Sequence, residues 1–422
     1  MSRRYFGTDG VRGVVGEDIT FELVERLGRA ATLWSKGGRV FVGRDTRASG
    51  EELEEAFGRG VVAAGGNAVL AGVLPTPAVA LLALDLGAVI SASHNPPEYN
   101  GVKFFDGEGR KLTDAAEEEI EALLNEDGPP GGGGRVDHVA VATESYLEHI
   151  VERFGSDLSG LKIVVDCANG AYSGIAPKAF EQLGAQVSTI GSDPDGTNIN
   201  VGCGATDLQT LQRAVTGAGA DVGIAFDGDG DRMLAVDARG QVVDGDQILA
   251  ILMLHLEVEL VAVTVMANLG LHRLAEEHGI RVVTTDVGDR YVLEALRREG
   301  GLLGGEQSGH IIYLRDHVTG DGLAAALLLC AALEGHSLER AAAVLRRFPQ
   351  AKENISVGRK DLPQPLLDEV ERLNTRLDGK GRVLVRHSGT EPVIRVLAEA
   401  ETRSEAEETC GTISALVRRE LG

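Results

Sequence analysis

Through the first three-quarters of the chain, short runs of Val, Ile and Leu alternate with stretches in which apolar residues return every three or four positions. The runs predict buried strands and the stretches amphipathic helices. Their alternation predicts parallel or mixed sheets covered by helices, an α/β class. Three segments repeat the order strand, polar turn with Gly or Asn, helix: FVGRDTRASGEELEEAF at 41–57, IVVDCANGAYSGIAPKAF at 163–180 and VTVMANLGLHRLAEEHG at 263–279. They read as architecturally similar units, with too little identity to show duplication. A long apolar helix is predicted around Gln247–Leu260, entered through DGDQ. After Phe348-Pro349 the pattern changes to strand (354–357), helix (365–377), two strands (382–386 and 393–400) and a final helix (404–421), a smaller α+β domain. The expected division is 1–150, 151–250 and 251–360 for three similar mixed-sheet α/β domains and 361–422 for the last. DGPPGGGG at 127–134 can hold neither helix nor strand and reads as a surface loop.

Composition narrows the function classes. At 422 residues, 43% hydrophobic and 25% charged, the chain can bury several cores. Its formal charge of -23 opposes binding to nucleic acid, which needs a field of Lys and Arg over the phosphates. The 56 glycines are about twice the usual share, and they cluster at predicted strand ends, as ligand-facing turns do. MSRRYFGTDG lacks the apolar core of a signal peptide, and the run Leu323–Leu333 is too short to span a bilayer, so the expectation is a cytoplasmic protein without membrane contact. Cys167, Cys203, Cys330 and Cys410 stand far apart, which predicts reduced, mostly buried thiols.

Five loops carry candidate chemistry. In FDGDGDR, Asp227, Asp229 and Asp231 follow an apolar strand at spacing two, so extended backbone would send all three carboxylates to one side. Unpaired they repel, and all-oxygen ligation suits Mg²⁺ better than zinc. An EF-hand would need Gly where Arg232 stands and Glu where Ala238 stands. In VISASHNPPEYNGVKFF (89–105) a buried strand runs into Ser91-Ala92-Ser93-His94 before Pro96 and Pro97 stop it, presenting a hydroxyl where open α/β sheets bind ligands. His94 and Lys103 are the candidates to activate it. In GGEQSGH (304–310), Glu306, Gln307, Ser308 and His310 supply the carboxylate, amide and hydroxyl that select among sugar hydroxyls. RHSGTEPVIR (386–395) places Arg386, Ser388, Gly389, Thr390 and Arg395 as a cup for a phosphate dianion, and FGTDGVRG (6–13) offers Thr8 and Arg12 in a similar turn. Gly320, Gly322 and Ala325 match GxGxxA but lack the strand, helix and acid of a dinucleotide site.

Taken in order, FGTDGVRG, SASHNP, DGDGDR, GEQSGH and RHSGTEP resemble the α-D-phosphohexomutases, from residue 6 to 395. Gln307 and the wording of RHSGTEP are most similar to the bacterial phosphoglucosamine mutases among them. The resemblance implies four domains around a central active-site cleft, the last attached by a hinge. It implies that Ser93 is phosphorylated and that Mg²⁺ is held by its phosphate with Asp227, Asp229 and Asp231. Arg232 would contact the phosphoryl group, and Lys103 and His310 would move protons, Lys103 through a pKa lowered by burial and neighbouring cations. Glu306 and Ser308 would bind sugar hydroxyls, and Arg386, Ser388, Gly389, Thr390 and Arg395 the idle phosphate. The implied reaction interconverts glucosamine 6-phosphate and glucosamine 1-phosphate through a hexosamine 1,6-bisphosphate, which serves as intermediate and activator, and supplies UDP-N-acetylglucosamine and cell-wall synthesis. A homodimer is the implied assembly. Turnover of mannose or glucose phosphates is the alternative within the family. Outside it stand a metal-dependent phosphatase and a sugar-phosphate binding protein without chemistry. Asp286 before VGDRY, and HVTGDG (317–322) with its single Thr, depart from the family's usual wording.

Overall fold

A computed structural model describes residues 4–7, 9–126, 133–358, 361–387 and 393–421. Thr8, Ser388, Gly389, Thr390 and most of DGPPGGGG lie outside the described residues. The chain forms two compact units, one running to Met266 and including Arg281–Val344, the other made of Ala267–Ile280 with the chain from Leu345 onward.

Among the described residues, the first unit holds three sheets. A six-stranded sheet runs in the order Val11–Val14, Tyr99–Asp106, Leu86–Ile90, Arg39–Arg44, Asn67–Val73, Val136–His138. A five-stranded sheet runs Val242–Val243, Met233–Asp237, Val222–Phe226, Lys162–Asp166, Gln186–Ile190, and a four-stranded one Arg281–Thr285, Leu260–Thr264, Leu303–Gly305, Ile311–Tyr313. Each is mixed, and the same device recurs: a buried inner strand turns back into an antiparallel neighbour. Leu86–Ile90 pairs with Tyr99–Asp106, Val222–Phe226 with Met233–Asp237, and Leu303–Gly305 with Ile311–Tyr313. The three reversals carry the serine, the aspartates and the Glu306–His310 loop. The inner strands Leu86–Ile90 and Val222–Phe226 are buried at every residue, which is why they read as unbroken apolar runs.

The predicted helix at 247–260 is instead Gly245–His255, followed by a strand from Leu260. Asp244 caps it, its side chain accepting from Gln247 N while Gln247 returns the bond. Glu257 then turns the chain with φ of +50°. The join is marked only by His255 and the exposed Glu257 and Glu259, set between apolar residues that also fit a continuing amphipathic helix. The apolar run near 323–333 is the helix Gly322–Ala332, buried along Gly322–Cys330. All four cysteines are free and buried.

In the second unit, Val393–Ala400 lies between Gln350–Ser356 and Gly381–His387, all antiparallel. Leu366 and Leu373 from the helix Gln364–Leu377, and Cys410, Ile413 and Val417 from Arg403–Leu421, pack against Ile394, Val396 and Ala398 in its core.

Candidate active site

The serine loop begins where Ile90 leaves the sheet. Ser93 is buried and has φ of +51°, a left-handed conformation uncommon for a residue with a Cβ. Its Oγ donates to Asp227 Oδ2 at 2.6 Å and lies 3.3 Å from His94 Nδ1. Burial, with Arg232 and Arg12 nearby, lowers the His94 imidazole to about 4, which leaves it neutral.

Asp227, Asp229 and Asp231 are buried, and one oxygen from each lies within 4.8 Å of the others. The reason differs from strand alternation. The strand stops at Phe226, and the three residues converge on a turn that reverses through Gly230 at φ of +79°. Asp229 Oδ2 accepts from Thr76 Oγ1 and Lys103 Nζ, both at 2.7 Å, whereas its Oδ1 is buried with no hydrogen-bond partner. Burial and the two neighbouring carboxylates push the Asp227 carboxyl well up. A hard divalent cation fits this donor set: it would take orphaned carboxylate oxygens and remove a repulsion that protonation otherwise relieves.

Lys103 overturns the expectation of a lysine crowded by cations. Its Nζ is buried among carboxylates, 2.7 Å from Asp229, 3.2 Å from Asp9 and 3.4 Å from Asp231. Burial alone lowers an ammonium's pKa, but these charges more than reverse it and hold Lys103 protonated. His310 is likewise buried, with Asp289 Oδ2 at 3.4 Å and Asp231 Oδ1 at 3.8 Å. Burial lowers its pKa, but Asp289 and Asp231 outweigh burial, for a net upward shift. Arg232 borders Asp231 at 3.8 Å and, like Arg12, is partly exposed. Arg12 pairs with Asp9.

Glu306 Oε1 accepts from Gly288 N at 3.2 Å, and Oε2 lies 3.4 Å from Ser308 Oγ, so VGDRY meets the Glu306 loop directly. Gln307 turns away, its amide donating to Asp246 Oδ2 at 3.0 Å. In the second unit, Arg386 and Arg395 stand opposite each other across two strands.

Several residues escaped the reading of the sequence. Lys111 bridges Asp9, at 2.8 Å, and Asp289, continuing the ion network from Lys103 to His310. In HVTGDG, Asp321 accepts from the hydroxyls of Tyr146 and Tyr172, both at 2.7 Å, while capping the helix behind it. Gly322 N donates to Gly230 O at 3.0 Å, and the Tyr172 ring closes against Gly230. Arg47 and Asp45 lie under the serine loop. Alternating charges in GRDTR and the paired glycines of TGDG were the available signals, but neither spacing says which loop they serve.

The comparisons with known proteins cover nearly the whole chain. Residues 3–129, 144–240, 244–350 and 334–416 match phosphoglucomutase/phosphomannomutase alpha/beta/alpha domains I, II and III and the C-terminal domain. A phosphoglucosamine mutase of Moorella thermoacetica is 50% identical, covering 96% of this chain and 97% of its own. The chain belongs to the phosphoglucosamine mutase family. A second member, from Pelotomaculum thermopropionicum, is 48% identical over 98% of both chains. Among solved structures, a phosphoglucomutase/phosphomannomutase family protein of Burkholderia thailandensis superposes with a TM-score of 0.86 at 25% identity, covering 99% of this chain and 98% of its own. The Aspergillus fumigatus N-acetylphosphoglucosamine mutase, solved with GlcNAc-6P and magnesium, shares the fold at a TM-score of 0.72 and 18% identity, over 99% of this chain and 96% of its own. Family membership thus joins the five motifs to a mutase fold, with the serine, aspartate and Glu306–His310 loops at equivalent reversals of three sheets.

Proposed function

We propose that this protein interconverts glucosamine 6-phosphate and glucosamine 1-phosphate through a phosphorylated Ser93 and a 1,6-bisphosphate. The observation that carries the reading is Ser93 Oγ, 2.6 Å from Asp227 on a buried left-handed turn beside the acidic cluster, in a chain 50% identical to a phosphoglucosamine mutase. In the first half-reaction the Ser93 phosphoryl group passes to the free sugar hydroxyl. The hydroxyl's proton ends on Ser93 Oγ, whose O–H then donates to Asp227. After the bisphosphate turns, its other phosphoryl group returns to Ser93 and the proton retraces its path. A loose transition state asks little of a base at the outset. Lys103, His310 and Arg232, which the structure holds as cations or near them, serve the charge on phosphoryl oxygens and the departing alkoxide. Mg²⁺ held by Asp227, Asp229, Asp231 and the Ser93 phosphate would offset charge on the transferring group. Glu306 and Ser308 would select the sugar's hydroxyls. Arg12 with Thr8, and Arg386 and Arg395 with Ser388, Gly389 and Thr390, would hold the idle phosphate.

The product's place is the supply of an amino-sugar 1-phosphate for nucleotide-sugar synthesis. We further propose a cytoplasmic homodimer and domain divisions near residues 150 and 250, with the last division before Gln350 rather than near 360, because Gln350–Ser356 pairs with Val393–Ala400. Among the described residues, no helix is long and apolar enough to cross a membrane.

Phosphorus NMR with Mg²⁺ and a trace of the 1,6-bisphosphate tests the reading on glucosamine, glucose and mannose 6-phosphates side by side. Conversion of the glucosamine compound, lost in Ser93→Ala, is expected. Faster turnover of the neutral sugars would move the protein to the hexose branch, and release of free phosphate alone would overturn a mutase.

A further inference from the structure

Resting on the proposed phosphoserine chemistry, we propose that Arg47 is a positioning residue that fixes the backbone of the nucleophile. Its side chain is fully buried, and all five guanidinium N–H donors are engaged. Nε donates to Asp45 Oδ2 at 2.9 Å. Nη1 donates to the carbonyls of Pro96 and of Tyr99, the latter at 2.9 Å. Nη2 donates to those of Ser93 at 3.0 Å and Asn95 at 2.8 Å. One side chain therefore gathers four carbonyls spread over seven residues of the serine loop.

The other half of the Ser93 peptide environment is held from the same base. Ser93 N donates to Ser91 Oγ at 2.9 Å, and Ser91 donates to Asp45 Oδ2 at 2.6 Å, on the oxygen that Arg47 also uses. Asn200 adds a donor to the Ser93 carbonyl at 2.9 Å. A serine in the left-handed region persists only where its surroundings over-determine it. Here both backbone polar groups of Ser93 are pinned to a buried Asp45–Arg47 pair. Arg47 reaches no reacting atom. Its function is to keep the Oγ direction constant between the free and the phosphorylated serine, so that both half-reactions start from one geometry. A lysine would keep the charge beside Asp45 but supply three donors for five acceptors.

The test compares Arg47→Lys and Arg47→Ala with the wild type, all with activity expressed per folded molecule. We expect kcat to fall about 100-fold, the cost of a displacement near 1 Å, with KM for the sugar phosphate within about twofold of wild type. Guanidinium ion at millimolar concentration restores part of kcat in Arg47→Ala, whereas ethylammonium does not. A rate loss that only follows the folded fraction, or one carried by KM, overturns the proposal. If neither variant folds, Ser91→Ala, which removes the acceptor for Ser93 N, decides by the same split. The wild type separates this inference from the function it rests on. If wild-type protein neither converts glucosamine 6-phosphate nor takes phosphate onto Ser93 from the bisphosphate, seen by intact mass, the function fails. If it does both and the variants match it, only the role of Arg47 fails.

Discussion

Gly320 offers a sharp test of how His310 is held. A Cβ built on Gly320 would stand 2.2 Å from His310 Nε2 and 2.6 Å from Cε1. Restoring an ordinary contact of about 3.4 Å requires the imidazole to retreat by about 1.2 Å. The ring is 2% exposed and lies between Asp289 and Asp231, so no open space receives it. Gly320 does not occupy the left-handed region, so alanine there adds bulk without backbone strain. Overpacking of this kind costs about 1–3 kcal/mol, which lowers Tm by roughly 2–4 °C for each kcal/mol in a domain of this size. If His310 serves the reaction as proposed, a displacement of that size costs about 100-fold in kcat, or roughly 2.7 kcal/mol of barrier. The assay is a double-mutant cycle of Gly320→Ala and His310→Ala, read by thermal melting and by phosphorus NMR turnover. Gly320→Ala should lower Tm and kcat in the wild type, and should change neither appreciably once the ring is gone. The reasoning is refuted if the Tm loss is the same in both backgrounds, or if Gly320→Ala turns over like wild type.

Two further outcomes are expected. Mg²⁺ should raise the Tm of wild-type protein, by the equivalent of about 2.7 kcal/mol at a hundredfold excess over Kd, and the rise should vanish in Asp229→Asn; an unchanged Tm in the wild type would refute cation binding at the acidic cluster. His272, lowered to about 4 by burial and then by the Arg382 cation, takes up its proton less readily folded than unfolded. Its contribution therefore destabilises the protein as pH falls from about 6.5 toward 4, by up to about 1.4 kcal/mol per pH unit, and His272→Leu should flatten that slope in Tm measured against pH; an unaltered slope would exclude His272 as its source.

The sequence showed the candidate site loops more clearly than what surrounds them. Asp227, Asp229 and Asp231 were legible because three carboxylates at strand-end glycines have few inexpensive structural uses, and Ser93 because two prolines close its loop. The strand Val393–Ala400 was placed to the residue, since Gly389 and Pro392 precede it in the sequence and the polar Glu401-Thr402-Arg403 follows it. The surroundings of Lys103 were not legible. Asp9 lies 94 positions away and Asp229 126 away, and only the packing of two sheets brings them to one ammonium. TGDG was set aside as a failed nucleotide motif because local spacing shows two small residues and an acid, not the imidazole and the hairpin turn they accommodate. The helix at 247–260 ran long because Leu256, Val258 and Leu260, spaced among His255, Glu257 and Glu259, fit a helix as well as the turn and strand that stand there.

On the proposed chemistry, the left-handed backbone at Ser93 also narrows which amino acid could accept a phosphoryl group there. Threonine offers the same hydroxyl, but its branched Cβ crowds the neighbouring carbonyl when φ is positive. Cysteine fits the backbone yet would give a thiophosphate ester and a larger atom beside Asp227. The shape of the turn thus discriminates between two alcohols of nearly equal reactivity, so that the choice of serine is made by conformation before phosphorus chemistry has any part in it.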